Sequence, residues 1–361
     1  MKGAFKIGTI AGINIFIHWT FGILIAYIII RDYRAGQNAQ QIIWSVLFVL
    51  SIFITVLLHE IGHALAAKRF NIKTQDITLL PIGGMARLES LPEKPKEELL
   101  VAIAGPAVNI ALAILTGLFI TLPNDINQFN TLLSNGVNST NFILAFCIVN
   151  LWLAAFNFIP AFPMDGGRVL RALLAMKFKR PLATKIAARI GQIIALGFII
   201  LGFYYNPFLI FIGLFVMIGA QAESEYTQLQ SMLKGYVVKD VLIKNYQTLE
   251  ADQTIQTAVK MLLNGQIKNF LVTENNNPMG TLSRNEIIKA LTEKGEMEII
   301  RNVMDRNLIF LKADLPLEEA FQRAQQNKSN LMPVMENNQL IGVLDTENIL
   351  EFIMVNHSRE K

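Results

Sequence analysis

Long apolar runs separated by short polar stretches dominate the chain up to about residue 222. A hydrocarbon core of ~30 Å is crossed by about 20 apolar residues in helical form. Six runs are apolar enough to be read in this way, although the first and the last are short. The sequence therefore predicts about six membrane-spanning helices, with approximate limits 14–30, 42–67, 99–122, 142–163, 184–204 and 207–222.

The pattern after residue 222 is that of an ordinary soluble protein, and it repeats itself without a gap. The aligned segments are 238–242 with 300–304, 271–275 with 333–337, and 280–282 with 342–344. Each copy predicts helix, strand, turn, strand and helix, which is too small a unit to be comfortably stable alone. We therefore expect the two copies to pair and bury their sheets against each other.

These patterns predict three regions in the chain. A membrane domain covers 1–222, a linker covers 223–234, and a soluble α/β pair covers 235–361, with copies at about 235–292 and 297–356. The fold class is a polytopic α-helical membrane protein followed by this soluble pair.

Composition and charge narrow the function. The chain is 52% hydrophobic and 17% charged, with a net charge of +4. Lysine and arginine concentrate in 68–98 and 164–185, whereas 123–141 has none. Because cytoplasmic loops carry the basic excess, we expect a multi-pass protein of the cell (inner) membrane with both termini and the soluble pair in the cytoplasm. Topology explains the basic charge, so no nucleic acid partner is needed. The lone Cys147 excludes a disulfide framework and a cysteine metal site.

The second apolar run contains the motif His59-Glu60-Ile61-Gly62-His63. Two histidines four residues apart lie on one helix face and can bind the same metal ion. Glu60 is rotated by about 100° and can act as a base toward water rather than as a ligand. Ionisable groups inside a membrane are costly and usually functional. Hydrogen bonding between helices is the structural alternative.

A catalytic zinc ion takes three protein ligands and keeps a fourth position open. Within 99–222 the acidic residues are Asp125 and Asp165. Asp125 falls in the loop on the far side of the membrane. Asp165 follows the fourth run on the cytoplasmic side, where the prolines and glycines of 160–167 interrupt the helix. Irregular backbone at membrane depth is tolerated where it lines a cavity, so Asp165 is the predicted third ligand.

These residues resemble the site-2 protease family of intramembrane zinc metalloproteases. The H-E-x-x-H helix and the Pro-Met-Asp-Gly-Gly-Arg stretch at 163–168 are its two signature elements. The resemblance implies that His59, His63 and Asp165 bind one zinc ion and that Glu60 is the general base. It also implies a zinc metalloendopeptidase that cleaves membrane-tethered proteins within or near their transmembrane segments.

Two further polar positions fit the same resemblance. Asn157 lies eight residues before the aspartate and would stabilise the oxyanion, with helix packing as the alternative. Gly105-Pro106 with Asn109 resembles the G-P-x-x-N element of the third span. Asn109 is a candidate for substrate binding, although a structural role there is equally consistent with the sequence.

The segment around Gly83 and Gly84 resembles a family loop that presents a strand edge to substrate. Its flanks, 77–80 and 85–88, have a strand-like pattern and predict a hairpin. An extended substrate can add to such an edge. An ordinary turn without a substrate role is the alternative.

The repeated region resembles a tandem pair of CBS domains, a module that often senses adenine nucleotides. The ligand segment of that family has Ser or Thr, two residues, and then an aspartate. Residues 283–286 read Ser-Arg-Asn-Glu and 345–348 read Asp-Thr-Glu-Asn, so neither copy has the aspartate in place. We therefore expect a structural or dimerising role, including a homodimer, to fit at least as well as nucleotide binding.

Two other classes of protein compete with the protease. A transporter or channel regulated by CBS domains would use the histidines and Asp165 as a permeation path. Transporters usually repeat their spans, and the span region shows no such repetition. A catalytically inactive receptor is disfavoured by the intact Glu60. The predicted partners are membrane lipid and a membrane-tethered regulator such as an anti-sigma factor, although the sequence does not identify the substrate.

Overall fold

The structure is a computed structural model, and it forms two compact units, Met1–Thr227 and Gln228–Lys361. The residues that it describes are 3–81, 83–88, 92, 94–120, 136–265, 267–327, 329–337 and 339–359. Asp125 of the sequence analysis lies outside the described residues. The predicted domain limits stay a prediction.

The first unit combines a small sheet with a helical bundle. Its strands are β1 (Ala4–Ile10), β2 (Ile13–His18), β3 (Thr74–Leu80) and β4 (Gly83–Leu88). Its helices are α1 (Thr20–Arg34), α2 (Ala39–Arg69), α3 (Pro95–Gly117), α4 (Phe142–Asn157), α5 (Asp165–Ala175), α6 (Arg180–Tyr204) and most of α7 (Phe208–Leu233), which ends beyond Thr227. The predicted linker, 223–234, lies largely within α7.

The strand order in the sheet is β1-β2-β3-β4, with β2 and β3 parallel and the other pairs antiparallel. β4 is therefore an edge strand. The first predicted span, 14–30, differs from this structure because its beginning forms β2. Ile13 and Ile15 are buried on one face of that strand, and β-branched residues in strict alternation favour a strand over a helix.

Among the described residues, four helices are long and apolar enough to cross a membrane: α2, α3, α6 and α7. α4 is a shorter apolar helix. The prediction of several apolar helices in this part of the chain is confirmed, whereas a count of six stays a prediction. α2 begins at a capping box in which Asn38 and Gln41 satisfy each other's backbone amides.

The fourth predicted span, 142–163, ends early, since α4 stops at Asn157. Proline cannot donate a backbone hydrogen bond, and Pro160 and Pro163 follow the end of the helix. The chain then passes through non-helical backbone until α5 starts at Asp165. A side chain at Gly166 would meet the carbonyl oxygens of Phe158 and Ile159, so this loop packs tightly against the start of α5.

The second unit contains two similar halves. The first half has β5 (Thr248–Glu250), α8 (Ile255–Asn264), β6 (Asn269–Glu274), β7 (Asn277–Ser283) and α9 (Arg284–Glu293). The second half has β8 (Leu311–Lys312), α10 (Leu317–Asn327), β9 (Leu331–Glu336), β10 (Gln339–Asp345) and α11 (Thr346–Arg359). Each half forms one three-stranded sheet.

Equivalent positions of the two halves build equivalent cores. Matching side chains from the paired strands are fully buried in both: Phe270, Val272 and Leu282 in one half, Met332, Val334 and Leu344 in the other. Leu271, Leu331 and Val343 join the halves in a shared apolar cluster. The predicted pairing of the two repeats is therefore confirmed.

Candidate metal centre

Helix α2 places His59 and His63 on one buried face. Their Nε2 atoms lie 3.0 Å apart. The side chains are one helical turn apart, and the 3.6-residue period brings both rings to the same point. The local spacing in the sequence is therefore sufficient to build two sides of the site.

Asp165 completes the cluster from a different helix. Its Oδ2 atom lies 3.1 Å from the Nε2 atoms of both His59 and His63. Asp165 is the first residue of α5, where the unpaired amides and the helix dipole favour a carboxylate. All three side chains are buried, and their ligand atoms can hold one metal ion.

Helix α3 orients both imidazole rings through their other nitrogens. Nδ1 of His63 donates to the carbonyl oxygen of Val101 at 2.7 Å. Nδ1 of His59 donates to Oδ1 of Asn109 at 2.6 Å. A neutral imidazole that donates from Nδ1 presents a lone pair at Nε2, so both Nε2 atoms are acceptors.

The donor set fits a zinc ion. With both rings neutral, two imidazole lone pairs and a carboxylate oxygen face one another at 3.0–3.1 Å, and a cation among them would stabilise this arrangement. Zinc with bonds of about 2.0–2.1 Å in tetrahedral geometry separates its ligand atoms by about 3.3 Å. Outer hydrogen bonds from ligating histidines to carbonyl oxygens are typical of such centres.

Gly105 of α3 lies directly against the rings of His59 and His63. A Cβ atom at this position would lie 2.6 Å from Cε1 of His63, 2.7 Å from Nε2 of His59 and even closer to Nε2 of His63. Any side chain at position 105 would therefore overlap the two histidine rings in their present positions.

Glu60 is half-buried and lies beside the first residues of β4. A Cβ atom at Gly84 would come within 3.0 Å of Oε1 and 2.6 Å of Cγ of Glu60. Gly83 and Gly84 thus start an edge strand that touches the predicted base. The predicted hairpin is confirmed as β3 and β4, which pair antiparallel from Thr74↔Leu88 to Leu80↔Gly83.

The other predicted site residues lie in different surroundings. Asn109 is buried, and its Oδ1 atom accepts a hydrogen bond from Nδ1 of His59. A role of Asn109 in substrate binding stays a prediction. Asn157 is half-buried at the end of α4, and within the described chain no hydrogen bond joins it to His59, His63 or Asp165. Its role at the oxyanion stays a prediction. The carbonyl of Val101 was not identified from sequence, because a backbone acceptor has no sequence signature.

Family models match most of the chain. The model of peptidase family M50 matches residues 47–137 and 122–202, and the CBS domain model matches 238–293 and 300–355. Zinc metalloprotease MJ0392 of Methanocaldococcus jannaschii is 32% identical over 362 residues, which cover 100% of this chain and 99% of the relative. The chain belongs to the site-2 proteases of peptidase family M50.

The chain is also similar to a second curated relative and to a solved structure. Stage IV sporulation protein FB of Bacillus subtilis is 25% identical over 255 residues, covering 67% of this site-2 protease and 83% of the relative. The solved site-2 protease from Methanocaldococcus jannaschii is 37% identical, with a TM-score of 0.44, over 61% of this chain and 95% of that one. The predicted metalloprotease class is confirmed, and no similarity supports the transporter alternative.

The CBS pair of this site-2 protease has a small polar pocket beside the two segments that resemble the ligand-binding motif, 283–286 and 345–348. Its lining residues include Lys268, Asn269, Ser283, Arg284, Asn330 and Thr346. The Ser283 hydroxyl already bonds Glu286, and Lys268 pairs with Glu347 at 2.9 Å. Burial raises the pKa of the Asp345 carboxyl, whose oxygens accept from Asn269 and from the backbone of Glu347. Ser283, Lys268 and Asp345 therefore each have a partner within the CBS pair.

Proposed function

We propose that His59, His63 and Asp165 hold the catalytic zinc ion of this site-2 protease and that Glu60 is its general base. The convergence of three buried acceptor atoms within 3.1 Å carries the proposal. Their Nδ1 hydrogen bonds and the space at Gly105 support a preformed site. Glu60 follows His59 directly on α2 and is free of the ligand set.

A zinc ion in this site supplies a Lewis acid that activates water and polarises the scissile carbonyl. Glu60 takes the proton of the attacking water and delivers it to the leaving amine. Val101 and Asn109 keep the histidine rings in the tautomer that leaves Nε2 unprotonated. The Asp165 carboxylate contributes negative charge to the site and is held at the start of α5.

The proposed substrate is a membrane-tethered protein, such as an anti-sigma factor or another membrane-bound regulator, cut within or near its transmembrane segment. Backbone carbonyls in a helix are hydrogen-bonded, so the substrate must become extended before attack. The exposed edge of β4 can pair with an extended segment, and its first residues lie beside Glu60. Gly83 and Gly84 keep that approach free of side chains.

We also propose an orientation of the chain in the membrane and an association between two copies of it. The basic loops favour both termini and the CBS pair in the cytoplasm, with the bundle in the inner membrane. We expect the CBS pair to contact a second copy of the chain, since Leu263 and Ile288 are exposed apolar residues beside one groove of that unit.

Replacing Glu60 by Gln tests the proposed mechanism. The amide cannot accept the proton, and loss of a general base costs about 100-fold to 10,000-fold in rate. We expect cleavage of a tethered test protein to be lost while the purified full chain keeps one zinc ion. Rate and metal content are measured on the same preparation in detergent.

Glu225→Gln is the matched control, because Glu225 is an exposed glutamate of the same unit that bonds Gln221. The control should cleave and bind zinc like the wild type. Cleavage retained by Glu60→Gln would contradict the role of Glu60. Zinc retained by a His59→Ala, His63→Ala double variant would contradict the metal site.

A further inference from the structure

The described first unit contains an arginine that is completely buried, Arg171 of α5. Burying a guanidinium is costly unless it is paired and hydrogen-bonded. α5 is also the helix whose first residue is Asp165, the proposed third metal ligand. Arg171 therefore lies on the same helix as the carboxylate that faces His59 and His63.

Two carboxylates and an aromatic ring surround the Arg171 guanidinium. Its Nε atom donates to Oε1 of Glu98 at 2.7 Å. Its Nη1 atom donates to Oε1 of Glu223 on α7. Its centre lies 5.1 Å from the ring centre of Phe162, in the loop before Asp165. Glu98 is itself buried and has a second arginine, Arg180, at 3.4 Å.

Glu98 belongs to the same face of α3 that orients the histidines. Val101, Gly105 and Asn109 follow it at intervals of three or four residues, which is the spacing of one helix face. Val101 and Asn109 accept hydrogen bonds from the imidazole rings, and Gly105 lies directly against both rings. One face of α3 therefore contacts both histidines and also holds α5 through Glu98.

We infer that Arg171 is a positioning residue that sets Asp165 against His59 and His63 by clamping α5 to Glu98 of α3. The inference rests on the proposed metal ligands. Functional constellations need their groups held within about 0.5 Å, and a helix clamped six residues beyond the ligand meets that need. Lysine cannot replace the planar fork that contacts two carboxylates at once.

The test measures metal binding, which does not depend on a peptide substrate. Full-length Arg171→Gln and Arg171→Lys are purified in detergent, and zinc affinity is obtained by competition with a chelator. The visible spectrum of the Co²⁺-loaded protein reports the ligand geometry. We expect zinc affinity to fall by about 10-fold to 100-fold and the cobalt bands to change in both variants.

Arg87→Gln is the matched control, since it breaks the Arg87–Asp76 pair between β3 and β4 in the same unit. It should weaken folding without changing zinc affinity or the cobalt spectrum. An equal loss of zinc affinity in the control would overturn the inference, because any broken ion pair would then have the same effect.

The inference would also be overturned if both Arg171 variants bound zinc as tightly as the wild type and showed the same cobalt bands. If Arg171→Gln does not fold, Arg171→Lys decides by the same criteria. Absence of metal binding by the wild type would instead contradict the proposed ligands, so the two failures are distinguishable.

Discussion

Gly105→Ala places a methyl group against both histidine rings of the proposed metal site. The new methyl group would lie 2.6 Å from Cε1 of His63, about 1 Å closer than the ~3.5 Å at which carbon atoms pack. It would also lie 2.7 Å from Nε2 of His59. Relief requires a shift of about 1 Å, whereas metal–ligand distances tolerate about 0.2 Å.

The expected result is a zinc affinity at least about 100-fold weaker, equivalent to roughly 2.7 kcal/mol, with cleavage lost in proportion. Helix formation is not impaired by the change itself, because alanine favours a helix over glycine by about 0.8–1 kcal/mol. The assay is chelator competition on the full chain in detergent, with thermal unfolding of the metal-free protein measured beside it.

Gly117→Ala is the control on the same helix. A methyl group at Gly117 would meet Sγ of Cys147 at 3.9 Å, which is an ordinary contact. The control should bind zinc like the wild type. Zinc affinity and a cleavage rate equal to those of the control would contradict a metal site formed by the two histidine rings beside Gly105.

Two further predictions address the base and the CBS pair. In Gly84→Ala the methyl group displaces the Glu60 carboxylate, so we expect kcat to fall about 100-fold at unchanged zinc content. The control Gly8→Ala should have no effect, because a Cβ atom at Gly8 has no neighbouring atom within 4 Å. Burial raises the pKa of the Asp345 carboxyl, so the folded protein binds this proton more tightly than the unfolded chain does. The protonated carboxyl therefore stabilises the fold at low pH, and this contribution is lost as pH rises above about 4. Asp345→Asn should therefore slow hydrogen exchange of the β10 amides more at pH 7 than at pH 4. The control Asp314→Asn, at an exposed position, should not have this effect. An equal gain in protection at both pH values would contradict the prediction.

Local patterns made part of the site predictable. His59 and His63 share a face because of their spacing, and the helix geometry follows from four residues. The CBS repeat was readable because matching positions carry matching apolar side chains. The hairpin before α3 was readable from two strand-like segments around two glycines.

Other features could not be read in this way. The contact of Asn109 with His59 spans fifty positions, and the residue types alone fit a substrate contact equally well. Val101 acts through its backbone, which carries no sequence signal. The start of the first apolar run forms β2 because it pairs with both β1 and β3, a tertiary circumstance that outweighs its hydropathy.

By itself the sequence indicated the chemistry: two histidines, a glutamate, one aspartate between apolar runs and a C-terminal repeat, each recognisable from residue type and spacing. Only the tertiary structure decided the geometry. Asp165 meets His59 across 106 positions, and Arg171 meets Glu98 across 73. Such meetings depend on how α2, α3 and α5 pack, and packing is set by the whole set of buried contacts rather than by any local pattern.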